Sequence, residues 1–296
     1  MLLTIWPIFA LILLGFGLAR RGFPSSGFWP EAERINYFLL FPALLISSLA
    51  NAPLSDPGLL RLGGAAVVTI LVASALLWLY RRARPMPAAR FGPLLQGAIR
   101  FNTYLGLAIL APIHGLERAA IYLAIAVPLV NLLSIIALGD GAKGRMARIV
   151  AGNPLILACI AGIGLAASGI GLPLGLDRLL ALIGQGSLPL GLLCVGAALQ
   201  LSSLRRDLAG LGAAVMLRLV LMPGLALLVA ALFGLGREDA LVLVVFSAVA
   251  TAPSAYVLTR QLNGDGAYMA GIVTAQTIAA AISLPVVLAL FDLIHP

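Results

Sequence analysis

Ten apolar runs follow one another along this chain, each near 20 residues long and each closed by a short polar turn. They fall near 2–19, 33–51, 58–80, 92–113, 118–138, 149–170, 177–200, 209–233, 238–261 and 268–292. A helix of about 20 residues spans the ~30 Å hydrocarbon layer of a bilayer. Inside that layer no water is on hand for backbone N–H and C=O groups, so runs of this length must be helical. The predicted class is an all-α membrane protein with ten transmembrane helices. Composition agrees, since 61% of the 296 residues are hydrophobic and 10% are charged, where soluble domains carry about 25% charged residues. The net charge of +8 does not mark a nucleic-acid binder, because the basic residues are scattered singly and in pairs between the runs.

That scatter has an order. The connections after the odd-numbered runs hold Arg20, Arg21, Arg34, Arg81, Arg82, Arg84, Arg90, Lys143, Arg145, Arg148, Arg205, Arg206 and Arg260, thirteen in all. Those after the even-numbered runs hold Arg61, Arg118, Arg178 and Arg237, one each. Cytoplasmic loops are the ones enriched in Lys and Arg, so both termini are predicted on the non-cytoplasmic side. The first run has no basic leader and no A-x-A cleavage site, which predicts a retained span. Five runs per half make the halves inverted copies, predicted as 1–138 and 149–296, with corresponding runs offset by 144–151 residues. The expected setting is a bacterial inner membrane.

Two corresponding runs are interrupted at their centres. Run nine carries Thr251-Ala252-Pro253-Ser254, and run four carries Arg100-Phe101-Asn102-Thr103-Tyr104-Leu105-Gly106. Proline removes a helix hydrogen bond and clashes one turn back. Freed backbone groups at membrane depth are tolerated only inside protein or beside a water-filled cavity. Paired discontinuous helices are how many carriers build a substrate site.

The polar inventory narrows the chemistry. All eleven acids fall in loops or at run ends, as do His114 and His295, which argues against a carboxylate-coupled antiporter or a histidine relay. Arg100 and Arg218 lie within runs, where an Arg costs about 2.5–3.5 kcal/mol on the insertion scale and so implies an anionic ligand or carbonyl partners. Asn102, Asn131, Asn153, Gln185 and Gln276 add amides that can hold a carboxylate without a buried charge or bond two helices together. Helix N-termini at the breaks also favour an anion. Cys159 and Cys194 show no redox or metal spacing, and no nucleophile elbow, Walker loop or HExxH is present, so neither an enzyme nor a metal or cofactor site is expected.

Seven stretches, in order, resemble the auxin efflux carrier family of plant auxin exporters and bacterial permeases for malonate, malate and similar acids. They are Phe41-Pro42-Ala43-Leu44-Leu45, residues 100–106, Gly152-Asn153-Pro154-Leu155, the segment from Ser187-Leu188-Pro189 to Leu199, Arg218-Leu219 with Pro223, Ala252-Pro253-Ser254-Ala255, and Thr274-Ala275-Gln276-Thr277 with Ser283-Leu284-Pro285. The resemblance implies a 5+5 inverted repeat in which helices 4 and 9 are broken and cross. It implies a dimerising scaffold from helices 1, 2, 6 and 7, and a transport domain from helices 3–5 and 8–10 that slides as an elevator. The family's carboxylate-binding asparagine falls on Asn102 and a second on Asn131. Where the family has a proline soon after the run-four glycine, this chain has Ala108, so the break is expected to rest on Gly106 and its Asn/Thr neighbours.

The expected function is a carrier for a small organic carboxylate, with Asn102, Tyr104, Gly106, Asn131, Thr251, Pro253 and Ser254 lining the site. Arg100, Arg218, Asn153 and Gln276 are expected to support it, as ligands of the anion or as braces. The alternatives are a sodium-coupled organic-anion symporter of the bile-acid type and a membrane sensor that binds without transporting.

Overall fold

A computed structural model of the chain describes residues 2–25, 27–50, 56–113, 116–139, 152–173, 175–205 and 207–294. Among these residues there are helices and turns and no strand. The polar connections at 53–57 and 139–144 lie partly outside the described residues, and Lys143, Arg145, Arg148, Arg206, His114 and His295 lie wholly outside them.

Helix α1 (Leu2–Arg20) is followed by α2 (Phe28–Ile35), a π turn (Asn36–Leu40) and α3 (Phe41–Leu49), the last three filling the second apolar run. The long α4 (Pro57–Ala83) comes next, then α5 (Ala88–Ile99) and α6 (Thr103–Leu110), which divide the fourth run, and α7 (Leu116–Leu138). The second half comprises α8 (Pro154–Ser168), α9 (Leu176–Gln185), α10 (Ser187–Ala197), α11 (Leu208–Met216), a second π turn (Leu217–Leu221) and α12 (Met222–Leu232). It closes with α13 (Arg237–Ala248), α14 (Ser254–Gln261) and α15 (Gly266–Ile294). Among the described residues, six stretches are long and apolar enough to cross a membrane: Pro57–Ala83, Ala88–Ile113, Leu116–Leu138, Leu176–Ala197, Leu208–Leu232 and Gly266–Ile294. Two more, Ile5–Arg20 and Pro154–Ser168, are apolar but shorter.

Several boundaries follow from single side chains. Asp56 accepts from Gly58 N at 2.8 Å ahead of Pro57, Asn153 accepts from Leu155 N at 2.9 Å ahead of Pro154, and Asp207 accepts from Gly210 N at 2.9 Å. Each is a short acceptor satisfying N–H groups that the first helical turn leaves free. Both π turns close one residue before a proline. Phe41 N–H reaches Asn36 O ahead of Pro42, and Met222 N–H reaches Leu217 O ahead of Pro223. A proline has no N–H to give the carbonyl one turn back, and a wide turn re-registers the ladder around that gap.

The helices pack in two groups. In one, α1 lies on α10, α3 on α8 and α9, and α2 on α10. In the other, α4 and α5 lie on α7, α12 on α4 and α13, and α15 on α5, α11 and α14. The groups meet where α6 touches α10 and where α7 touches α3 and α8.

The fourth and ninth runs are each unwound at mid-length. Ile99 is the last residue of α5, and Arg100 is extended (φ −83°, ψ 136°). Ala248 ends α13, and Val249 is extended as well (φ −73°, ψ 151°). The unwound stretches are bonded to each other, Asn102 N–H donating to Ala250 O at 2.8 Å. The carbonyls they release are taken up by three buried side chains. Arg218, fully buried on the second π turn, donates to Val249 O at 2.7 Å, to Ala98 O at 2.8 Å and to Phe246 O. Thr251 Oγ1 and Gln276 Nε2 both donate to Gly97 O, at 3.0 and 2.9 Å, while Gln276 Oε1 accepts from Thr251 N at 3.0 Å. One guanidinium and one amide thus tie the ends of both broken helices together.

Of Gly106 and the Asn/Thr neighbours on which the break in run four is expected to rest, Asn102 lies in it and Gly106 does not. The unwound residues are Arg100, Phe101 and Asn102, and Gly106 sits inside α6 with its N–H on Asn102 O at 3.0 Å. An N-cap asparagine restarts the helix, Asn102 Oδ1 accepting from Leu105 N at 3.1 Å. Glycine is required at 106 for another reason: a Cβ there would enter the Phe246 ring. Phe246 stacks on Tyr122 with centroids 4.6 Å apart, and Phe101 leans on both rings.

Candidate functional site

A cleft opens where the two unwound stretches meet the first packing group. Its empty space, counted with the open mouth, is about 610 Å3, in the range of small-molecule sites. Arg100, Phe101 and Asn102 come from the first break and Ala252, Pro253 and Ser254 from the second. Thr103 and Tyr104 open α6, Val127, Val130 and Asn131 come from α7, and Asn153 and Leu155 from the start of α8. Glu33, Tyr37 and Phe41 face it from α2, the first π turn and α3. The wall is mixed: Phe41 meets Tyr104 edge-on at 5.2 Å, with the polar break residues beside them.

Two of the polar donors lack acceptors. Among the described residues, Arg100 Nη1 and Asn102 Nδ2 are buried without a hydrogen-bond partner. Arg100 Nη2 makes one long contact, to Ser254 Oγ at 3.4 Å, and no carboxylate forms an ion pair with it among the described residues. The Asn131 amide makes no hydrogen bond among the described residues. Leaving a buried donor unmade costs about 1–3 kcal/mol, more for a charged group. Two such donors two residues apart on an unwound segment are a built site for an acceptor. The N-termini of α6 and α14 begin at the same cleft, and their partial positive charge has the same sign preference.

Of the residues proposed from the sequence, Asn102, Tyr104, Asn131, Pro253, Ser254, Arg100 and Asn153 line this cleft. Asn153 spends its side-chain oxygen on capping α8. Gly106, Thr251, Arg218 and Gln276 do not line it. Gly106 is covered by Phe246, and the other three form the brace behind the break, where backbone carbonyls satisfy them.

Sequence reasoning missed Glu33 and Tyr37. Glu33 is half-buried, and Tyr104 donates to its Oε1 at 3.2 Å. In the sequence Glu33 reads as a run end because it precedes the most apolar residues. The signal was present all the same: Glu33, Tyr37 and Phe41 recur every four residues, which puts them on one helical face.

A family model described as "Membrane transport protein" matches residues 143–288. The chain is also 30% identical over 248 residues to a protein of Rhizobium meliloti (strain 1021) named "Putative malonate transporter", the match covering 77% of this chain and 76% of that one. Apolar helices long enough to cross a bilayer, a buried donor site at two interrupted helices and these similarities agree in making it a multi-pass membrane transporter and not an enzyme. The chain belongs to the auxin efflux carrier family of membrane transport proteins.

Proposed function

We propose that this carrier moves a small organic carboxylate, gripped in the cleft by Arg100 and Asn102. The carrying observation is the pair of buried, unpartnered donors, Arg100 Nη1 and Asn102 Nδ2. A carboxylate offers two acceptor oxygens and a charge complementary to Arg100. Asn131, Tyr104, Pro253 and Ser254 would contact the rest of the ligand. The relative's name makes malonate, a three-carbon dicarboxylate, the first compound to test.

Ten spans in a 5+5 inverted repeat, 1–138 and 149–296, would place both termini outside the cytoplasm in an inner membrane. The first packing group (runs 1, 2, 6 and 7) would be a static scaffold that pairs with a second copy. The second group would carry the bound anion past it in elevator fashion. Support comes from the brace, which binds both broken helices into one unit, and from the cleft's position at the seam between the groups. The sodium-coupled alternative would use backbone carbonyls and Gln276, Thr251 or Ser254, of which Thr251 and Gln276 are engaged in the brace.

The test is thermal stabilisation of the purified protein by mono- and dicarboxylates, with and without sodium, followed by counterflow in proteoliposomes. Ligand at a hundredfold excess over Kd is worth about 2.7 kcal/mol. We expect a sodium-independent shift with a short carboxylate, lost in Asn102→Ala, and saturable flux of the same compound. No shift with any carboxylate would remove the reading, and binding without flux would mark a sensor.

A further inference from the structure

Glu33 brings a carboxylate into a cleft whose other polar groups favour an anion. It accepts from the Tyr104 hydroxyl at 3.2 Å across the seam between the packing groups. The helix it lies on packs against α10, whose Cys194 thiol meets the same carboxylate. Tyr37, one turn along, and Arg100 complete the titratable groups around it. Its own helix adds Arg34 and Glu31, which are exposed and paired with each other at 3.1 Å. No cation forms an ion pair with Glu33 among the described residues.

Taking the proposed carboxylate site as given, two carboxylates would share one confined, partly dry space. Like charges in such a site oppose each other's ionisation by about ten- to thousandfold. Neutral Glu33 removes that repulsion and also gains an O–H donor, which would join Arg100 and Asn102 in facing the ligand. We propose that Glu33 makes carboxylate binding proton-linked: the cleft takes an anion when Glu33 is protonated and rejects it when Glu33 is charged. The proton comes from bulk water as the anion enters and returns there when the anion leaves, so the occupied cleft holds one more proton than the empty one.

The experiment measures affinity for oxalate and pyruvate, both fully ionised throughout, from pH ~5.5 to pH ~8.5. Calorimetry in two buffers of different ionisation enthalpy counts the protons taken up. In the wild type, affinity falls with rising pH, approaching about tenfold per unit, and binding takes up about one proton at the alkaline end. In Glu33→Gln the pH slope and the proton uptake both vanish and alkaline affinity rises, readouts that a merely structural role would not move. Tyr104→Phe removes the donor that stabilises charged Glu33, so the fall in affinity moves to higher pH, a check that stands if Glu33→Gln does not fold.

The possible failures are distinct. Binding that is equally tight at every pH, or a slope retained in Glu33→Gln, overturns the role of Glu33 and leaves the carboxylate carrier standing. No binding of either acid at any pH overturns the carrier reading and this one with it. Glycine or alanine binding more tightly as pH rises would make Glu33 an ammonium acceptor and overturn the proton link.

Discussion

At the residue scale, Arg100, Asn102 and Arg218 share one chemistry, the donor N–H, and differ in what they meet. Arg218 is saturated by carbonyls at Ala98, Phe246 and Val249. Arg218→Met would leave these buried acceptors without partners, at about 1–3 kcal/mol each, and should lower the melting temperature of ligand-free protein severely. Intact thermal stability in that variant would show that the brace is dispensable. Asn102→Ala is the opposite case. Because Asn102 Nδ2 has no protein partner, its loss should cost about 10- to 100-fold in carboxylate affinity through a charge-assisted bond, and a modest amount of stability through the α6 cap. Both arginines were legible as buried charges needing a reason. Nothing in the sequence separated the one that meets carbonyls from the one that does not, because that depends on which turn of the neighbouring helix each faces. Glu33 was hidden by its company: a charged residue at the start of an apolar run reads as an end.

At the element scale, the apolar runs marked the helices well because hydrocarbon leaves the backbone so few options. Interruptions were less legible. Pro253 announces the gap in run nine, but in run four three polar residues competed for the role, and the capping geometry of Asn102 decided it instead of the flexibility of Gly106. The π turns before Pro42 and Pro223 left no hydropathy trace at all. Packing makes a sharper demand at Gly196, where α10 lies so close to α1 that a Cβ would strike the Ile12 carbonyl. Gly196→Leu should push those helices apart and destabilise the protein by at least the ~1–3 kcal/mol usual for overpacking, read as a fall in melting temperature. An unchanged melting temperature would mean that α1 is free to shift.

At the scale of the whole molecule, the inverted arrangement has a direct check. Arg84 and Arg178 are both exposed and lie in connections assigned to opposite sides. Arg84→Cys should react with an impermeant thiol reagent only from the cytoplasm, and Arg178→Cys only from outside, while native Cys159 and Cys194 are buried. Reaction of both from one side would refute the topology. Arg100 has an electrical consequence on this scale. With no acidic partner among the described residues, it would add one positive charge to an empty moving unit, which a bound monoanion offsets. A membrane potential acts on a full elementary charge with up to about 2.3 kcal/mol per 100 mV. The voltage would then act more strongly on the unloaded carrier than on the loaded one. Empty carriers would be drawn to the negative, cytoplasmic face, and the potential would set how quickly the protein resets between cargoes.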